Sequence, residues 1–259
     1  MRIRSMALKT ALMIERMYGT VEDRGSYLAL RTPSVPDYWY GNCLAMPSAP
    51  REGDYKTWMR LFEDALPGQT HRVFLIDAPD GDRGATAAFL DAGFEINVMD
   101  VLCARELREP EGLTAAFSFR PLAADADWKA VVRNSYEAGE DRPGFTLEFV
   151  ERKFAAVRRA IEAGRGLWWG AWDGGKLVAD MGLFWEESLV RFQDVETHPD
   201  YRRRGICRSL LLHACARAKE ALGSPLFVIV PADQTVRRVY ESVGFAYREK
   251  TVDFLRTPR

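Results

Sequence analysis

The stretch from Val195 to Leu212 constrains the fold of this chain most, because it joins a strand, a basic turn and a helix without a break. A strand pattern ends before Pro199, arginines and Gly205 follow, and an apolar helical pattern begins directly after them. The first amides of a helix lack intrahelical acceptors, and the helix dipole favours an anion at that end. The sequence therefore predicts an α/β fold with an anion site at a strand-to-helix turn.

Basic side chains crowd the same turn. They are Arg202, Arg203, Arg204 and Arg208, and each can give charge-assisted hydrogen bonds to a phosphate. Gly205 permits a close approach of the backbone to a ligand. Arginine-rich surface turns are usually only solvated charge, but the strand, glycine and helix around this one favour an anion site. The net charge of the chain is −1, so the basic cluster is local, which favours a small phosphate-bearing ligand and argues against a nucleic-acid partner.

The segment Arg202–Cys207 resembles the Gln/Arg-x-x-Gly-x-Gly/Ala signature of the GCN5-related N-acetyltransferases, with Cys207 in the place of Gly or Ala. A second segment, Val236–Phe245, resembles the Ala-x-x-Leu-Tyr-x-x-x-Gly-Phe element of the same family. A predicted strand at Leu226–Val230 separates the two, in the order that the family has. The C-terminal half of the chain is therefore identified as a member of this family, whose fold is a mixed, mostly antiparallel sheet flanked by helices.

The resemblance implies where acetyl-coenzyme A binds. The amides of Arg203–Cys207 hold its pyrophosphate, and the main chain of Val195 and Thr197 lies along its pantetheine arm, with the Val195 amide polarising the thioester carbonyl. The implied donor-binding residues are Val195, Thr197, Arg202, Arg203, Arg204, Gly205, Ile206, Cys207 and Arg208. Tyr240 matches the family's tyrosine near the coenzyme sulfur, where a phenol can protonate the thiolate. The alternative is a tyrosine that only packs between helix and sheet.

The general base is less well defined by the sequence. Some members of the family carry a glutamate four residues before the position of Val195, but Arg191 occupies that place here. Glu196 is the preferred candidate, and its side chain should face the opposite side of the sheet from Val195. His198 is equally well explained as a turn residue, and a base acting through a water molecule is the main alternative to Glu196.

Length and composition suit two domains. The chain has 259 residues, of which 47% are hydrophobic, and a charged segment with Pro110 divides it. We predict domains at residues 1–110 and 111–259. In the first domain the pattern predicts, among other elements, a helix at Asp54–Ala65 and a strand at Arg72–Ile76. From Phe117 the pattern reads as a strand, two helices, three strands beginning with Gly166–Asp173, and then a helix at Ile206–Leu222, a strand, a helix and a last strand at Phe245–Leu255, which is the order in the family. This order predicts a central mixed sheet with helices on both faces.

A faint internal repeat indicates that the first domain is a second, tandem copy of the same fold. Ala85–Phe94 resembles Val236–Phe245, with Phe89 in the place of Tyr240. The first copy lacks the basic turn, since Pro47–Gly53 contains no Arg-x-x-Gly pattern. We therefore predict a degenerate N-terminal copy without a catalytic role. A chance recurrence of Gly-Phe after a helix is the alternative.

The predicted activity is acetyl-coenzyme A-dependent N-acetylation of a primary amine, by direct attack of the amine in a ternary complex. The loop Tyr136–Asp141 places three carboxylates beside an aromatic ring, which suits a cationic acceptor, although an exposed acidic loop is the alternative. Two other functions stay open: an acyl-coenzyme A-binding regulatory module, and a transferase with another acyl donor, such as an aminoacyl group delivered by tRNA. The sequence does not identify the acceptor, which is a small-molecule or peptide amine.

The spacing of cysteine and histidine predicts no structural metal. The four cysteines form no CxxC pair, and none of the three histidines lies at ligand spacing from a cysteine. No signal peptide or membrane-spanning run is visible, so the sequence predicts a cytoplasmic protein without a membrane partner. Members of the family that the chain resembles often form dimers, so a homodimer stays open.

Overall fold

The computed structural model describes residues 1–109, 113, 116–139, 145–231 and 233–258. The chain divides into two compact units, of which the first comprises Met1–Val101 with Arg248–Arg259 and the second comprises Leu102–Tyr247. We place the predicted boundary between residues 110 and 111 by composition and charge. The division into two units follows compactness instead, and it differs from the predicted boundary. In particular, composition could not indicate that the last residues of the chain belong to the first unit.

The first unit is a sheet with helices. Its elements are α1 (Met6–Tyr18), β1 (Thr20–Asp23), β2 (Leu28–Arg31), β3 (Leu44–Met46), α2 (Asp54–Ala65), β4 (Arg72–Ile76), α3 (Ala87–Asp91) and the start of β5 (Glu95–Ala104). Strands β1, β2 and β3 pair in antiparallel fashion, and β3 pairs with β4 in parallel. The other neighbour of β4 is Val252–Arg256, the end of β11 (Ala246–Arg256), which runs antiparallel to it.

The second unit has the order of elements that the sequence predicts. Its elements are β6 (Ser118–Pro121), α4 (Asp125–Gly139), α5 (Leu147–Glu162), β7 (Gly166–Asp173), β8 (Lys176–Glu186), β9 (Leu189–Thr197), α6 (Ile206–Leu222), β10 (Leu226–Ile229) and α7 (Gln234–Ser242). Strands β6 to β9 are antiparallel, and β9 and β10 are parallel. The other neighbour of β10 is Leu102–Ala104, the end of β5, which is antiparallel to it. The predicted α/β fold with a mostly antiparallel sheet is confirmed.

Helices cover both faces of the sheet in the second unit. Successive side chains of β8 point to opposite faces. Ala179, Met181 and Leu183 join the hydrophobic core that includes α6 residues, and we call this side the α6 face. Asp180 points the other way, where it meets Asn134 of α4. We call that side the α4–α5 face.

A local structure recurs in the two units at the positions of the predicted repeat. In each unit a short helix follows a strand that is parallel to its predecessor, and a glycine with positive φ ends it. These glycines are Gly93, with φ of 83°, and Gly244, with φ of 106°. In each case an aromatic ring of the helix contacts the aromatic residue after the glycine edge-on. The pairs are Phe89 with Phe94 at 5.4 Å and Tyr240 with Phe245 at 6.1 Å between ring centroids.

Strand β1 is absent from the sequence-based prediction. It is four residues long, polar at both ends and only partly buried. Such a strand carries little of the apolar alternation by which strands are recognised. Within the described residues, no helix combines the length and the apolar character that crossing a membrane requires.

Candidate functional site

The predicted anion site lies at the turn between β9 and α6. A short 3₁₀ turn, Pro199–Tyr201, follows β9, and Arg203 then takes the left-handed conformation with φ of 62°. Gly205 is the N-cap of α6 with φ of 75°, a conformation that glycine adopts without steric cost. It supplies no side-chain acceptor, and the first turn of α6 contains no acidic residue. The positive end of the helix dipole is therefore not neutralised by its own helix.

The four arginines of the turn fall into two classes. Arg202 donates from Nε to the carbonyl oxygen of Thr197 at 3.1 Å, and the Arg204 guanidinium stacks on Phe117 and Tyr201, about 5 Å from each ring centre. These two side chains fix the turn. Two further arginines, Arg203 and Arg208, make no ion pair within the described part of the chain. They are therefore the cations available to an anion at the start of α6.

Strands β9 and β10 separate before β9 ends. Their parallel pairing covers Leu189–Arg191 and Leu226–Val228, whereas β9 continues to Thr197. A β-bulge interrupts the pairing of β9 with β8, since two residues, Asp194 and Val195, stand opposite one residue of β8. Main-chain groups of Val195 and Thr197 thus lie beyond the pairing with β10, on a strand edge that can accept an extended ligand.

Tyr240 lies on α7 in the core of the second unit, with 3% of its surface exposed. Burial raises the pKa of the Tyr240 phenol above its ordinary value, and the nearby Cys207 and Asp233 add to the effect. The phenol therefore keeps its proton at neutral pH and can donate it. Burial also raises the pKa of Cys207 to about 11, so this thiol stays neutral and acts as a small apolar residue at its motif position.

Glu196 faces the α4–α5 side, as predicted, and its direct cross-strand neighbour is Asp180 of β8. Only 1% of the Asp180 surface is exposed. Its carboxylate accepts a hydrogen bond from Asn134 Nδ2 at 2.6 Å and another from Trp168 Nε1 at 2.9 Å. Burial, together with the charges of Glu196 and Asp194, raises the pKa of Asp180 to about 8, although the hydrogen bonds from Trp168 and Asn134 act to lower it.

Sequence reasoning missed Asp180. The available signal is a single carboxylate within the otherwise apolar run Leu177–Trp185. A lone charged residue in a strand that is buried on both faces calls for a partner or a function. The cross-strand position of Glu196 supplies the context that the sequence did not contain.

The other residues that the sequence singled out are His198 and the predicted acceptor loop. His198 caps the 3₁₀ turn, since its Nδ1 accepts from the amide of Asp200 at 3.3 Å, which agrees with a turn residue. In the predicted acceptor loop, Tyr136 and Glu137 lie in the last turn of α4, which continues to Gly139, and Glu140 and Asp141 lie outside the described residues. Among the residues with described positions, no group of three or more His, Cys, Asp or Glu side chains is arranged to hold a metal ion.

Comparison with known proteins identifies the second unit. Residues 132–245 match the model of the Acetyltransferase (GNAT) family, and they include both motif segments. This part of the chain is a GNAT acetyltransferase domain. A search of the curated proteins finds no match to the sequence.

Solved structures share the fold of this chain over most of its length. A GCN5-related N-acetyltransferase from Kribbella flavida has a TM-score of 0.63 at 14% identity, over 97% of this chain and 95% of that one. A conserved protein of unknown function from Staphylococcus epidermidis has a TM-score of 0.73 at 11% identity, over 94% and 96%. A tandem GNAT protein from the clavulanic acid biosynthesis pathway has a TM-score of 0.56 at 13% identity, over 83% and 74%. At these identities the likeness concerns the fold alone.

Proposed function

We propose that the second unit transfers an acetyl group from acetyl-coenzyme A to a primary amine. The observation that carries this proposal is a free strand edge next to a helix N-terminus without acidic residues. The edge is β9 beyond Arg191, and the helix is α6. An extended acyl-pantetheine arm needs the first feature, and a pyrophosphate needs the second.

The described residues fit such a donor. The amides of Arg203–Cys207 face the place of the pyrophosphate, and Arg203 and Arg208 add charge-assisted hydrogen bonds to it. The amide of Val195, beside the bulge, is the donor that polarises the thioester carbonyl. Arg202 and Arg204 keep the turn in shape through their contacts with Thr197, Phe117 and Tyr201.

The chemistry follows from the positions of two titratable side chains. Glu196 takes a proton from the amine, whose nitrogen then attacks the thioester carbonyl carbon. As the carbon–sulfur bond breaks, the Tyr240 phenol gives its proton to the leaving thiolate. The protonated amine loses two protons in all, one to Glu196 before the attack and one to solvent after it, and Tyr240 regains its proton from solvent. Holding both reactants together supplies much of the rate enhancement, so a covalent enzyme intermediate is not needed.

We also infer that the first unit is a tandem copy of the fold that does not bind the donor. Its strand β3 is paired with β4 over its full length, and the pairing continues where the Asp77 amide donates to the Met46 carbonyl at 2.9 Å. The helix that follows, α2, begins with Asp54. The carboxylate at this helix end repels a phosphate, and the closed strand pair leaves no edge for a pantetheine arm.

A matched pair of variants tests donor binding by calorimetry with acetyl-coenzyme A. Gly205 and Gly53 are the N-caps of α6 and α2, and both have left-handed conformations. Gly205→Asp brings a carboxylate to the proposed phosphate position and should abolish micromolar binding. Gly53→Asp imposes the same backbone strain in the first unit and should leave binding unchanged. Wild-type protein that does not bind acetyl-coenzyme A would refute the proposal.

Thiol release with a panel of amines then separates the alternatives. The panel comprises a polyamine, an amino-acid amide and a peptide with a free N-terminus. Acetylation of any member supports the transferase. Donor binding without thiol release from any amine would instead favour the non-catalytic module. A steep salt dependence of tRNA binding would favour a tRNA-borne donor.

A further inference from the structure

Asp180 is buried among groups that hold it in place without neutralising it. Asn134 of α4 and Trp168 of β7 each donate to one of its oxygens. From β9, Glu196 and Asp194 add negative charge. Lys153 of α5 pairs with Asp194 at 2.7 Å, and no cation among the described residues pairs with Asp180 itself.

Packing around Asp180 fixes the orientation of the Trp168 ring. The Trp168 ring lies over Gly182, where an added Cβ would come within 2.5 Å of it. The same ring contacts Phe154 of α5 edge-on at 5.1 Å. Packing against Gly182 and Phe154 therefore holds the Trp168 indole N–H in its hydrogen bond to Asp180. A buried carboxyl without a cation is costly for stability, and Asp180 differs from other such groups in its place opposite Glu196.

The position of Asp180 on β8 links it to Glu196 on β9. Directly opposite residues of antiparallel strands have Cβ atoms about 5 Å apart, so the carboxyl groups of Asp180 and Glu196 are neighbours on the α4–α5 face. Glu196 directly follows Val195, whose amide lies at the bulge. A proton leaving an amine at that point therefore meets two adjacent carboxyl groups.

We propose that Asp180 is a positioning residue that acts through Glu196, the two carboxyl groups forming a cross-strand pair that receives the proton of the acceptor amine. This inference rests on the proposed function. Glu196 takes the proton, and the amine nitrogen becomes neutral and forms the amide bond. Asp180 adjusts the proton affinity of Glu196, since ionisation of either carboxyl group makes ionisation of the other less favourable. The proton then passes from Glu196 to solvent.

The pair can be tested without any substrate. We would follow the ¹³C resonance of the Asp180 carboxyl through a pH titration, assigning it by its loss in Asp180→Asn. Replacing Glu196 by Gln removes one negative charge and should lower the Asp180 midpoint by about 1 pH unit. An unchanged midpoint would overturn the proposal. Donor binding, measured separately by calorimetry, tells a failure of this inference from a failure of the proposed function.

The catalytic consequence has its own matched control. Asp253 in the first unit is a similar buried carboxyl that accepts from Asn97 Nδ2 at 2.9 Å and from the Tyr40 hydroxyl at 3.2 Å. For acetylation of the best amine of the panel, Asp180→Asn should remove an ionisation near pH 8 from the kcat/KM profile and lower the rate at about pH 9 by about tenfold. Asp253→Asn should retain the wild-type profile. Superimposable profiles of Asp180→Asn and wild type would overturn the positioning role, as would a shared change in both variants.

Discussion

Burial raises the pKa of the Tyr240 phenol, so Tyr240 holds its proton at neutral pH and enters the proposed reaction in the protonated form that a thiolate requires. Tyr240→Phe keeps the ring and its contact with Phe245 but removes the proton. We expect kcat for amine acetylation to fall by about 10²-fold, with an unchanged dissociation constant for acetyl-coenzyme A. Steady-state kinetics and calorimetry check the two quantities. An unchanged kcat would assign Tyr240 to packing alone.

The two classes of arginine predict different losses on substitution. Arg203→Ala and Arg208→Ala should each weaken acetyl-coenzyme A binding about tenfold, because each removes a charge-assisted hydrogen bond. Neither should change the free energy of unfolding. Arg204→Ala removes stacking on Phe117 and Tyr201 and should lower stability by about 1 kcal/mol. Calorimetry and urea unfolding on the same samples separate these effects, and equal affinity losses at all three positions would contradict the division.

Asp180 also predicts a pH dependence of stability. An ordinary aspartate ionises at 3.8, whereas the pKa of folded Asp180 is raised to about 8. Between these values the folded state holds a proton that the unfolded state has lost, so the Asp180 contribution to the free energy of unfolding falls as pH rises. Asp180→Asn removes this contribution. The stability of the variant relative to wild type should rise from about pH 4 to about pH 8 and then level off, as measured by urea unfolding. A constant difference would contradict the raised pKa.

Among individual residues, the sequence indicated those site residues whose role depends on the residues next to them in the chain. Gly205 and Val195 are recognisable because the turn and strand around them are continuous in sequence. Asp180 was not recognisable as a site residue, because its significance comes from Glu196 on the next strand and Asn134 on a distant helix.

The bulge in β9 is an element that orients several residues at once. Side chains alternate along a strand, so regular pairing of the same sequence without the bulge would put Glu196 opposite Ala179, on the α6 face. The bulge holds Asp194 at φ of 46°, which suits Asp, Asn and Gly but opposes β-branched residues.

A pair of substitutions at Asp194 tests the bulge. Asp194→Val should cost about 1–2 kcal/mol more than Asp194→Asn, because both lose the ion pair with Lys153 but only valine opposes the left-handed conformation. We also expect weaker acetyl-coenzyme A binding in the valine variant. Urea unfolding and calorimetry measure the two effects. Equal stability of the variants would show that the strain is absent.

Helices and strands were predictable where both the hydrophobic pattern and the residues that end the element are visible in the local sequence. The predicted bounds of α2, β4, β7 and α6 match the structure, and Asp233 caps α7 through the amides of Thr235 and Val236. Strand β1 has no comparable local signal. The bulge could not be predicted, since it is a property of the pairing between β8 and β9.

For the whole molecule, the division into units predicts an effect of shortening the chain. Ending it after Tyr247 removes the strand that pairs with β4, together with the buried Phe254 and the contacts of Asp253. We expect the first unit to lose its fold while the second unit keeps its own. Hydrogen exchange at Arg72–Ile76 and at Lys176–Glu186 reports on the two units. Ending the chain after Arg256 is the control and should change neither, and protected amides in β4 of the shorter chain would contradict the expectation.

The assignment of the last strand was beyond the sequence for a physical reason. Composition and periodicity predicted a strand at Phe245–Leu255 but carried no information about its partner. Adjacency along the chain favours pairing with the nearest strands, and β11 ends instead against β4.

Membership of the last strand in the first unit has a consequence for synthesis. Domains made early on the ribosome generally fold as they emerge. Here the first unit cannot be completed until the strand that follows the second unit has been translated. A nascent chain must carry an unfinished sheet, with the edge of β4 unpaired, throughout the synthesis of the entire second unit. The first unit can therefore finish folding only after the second unit has been made.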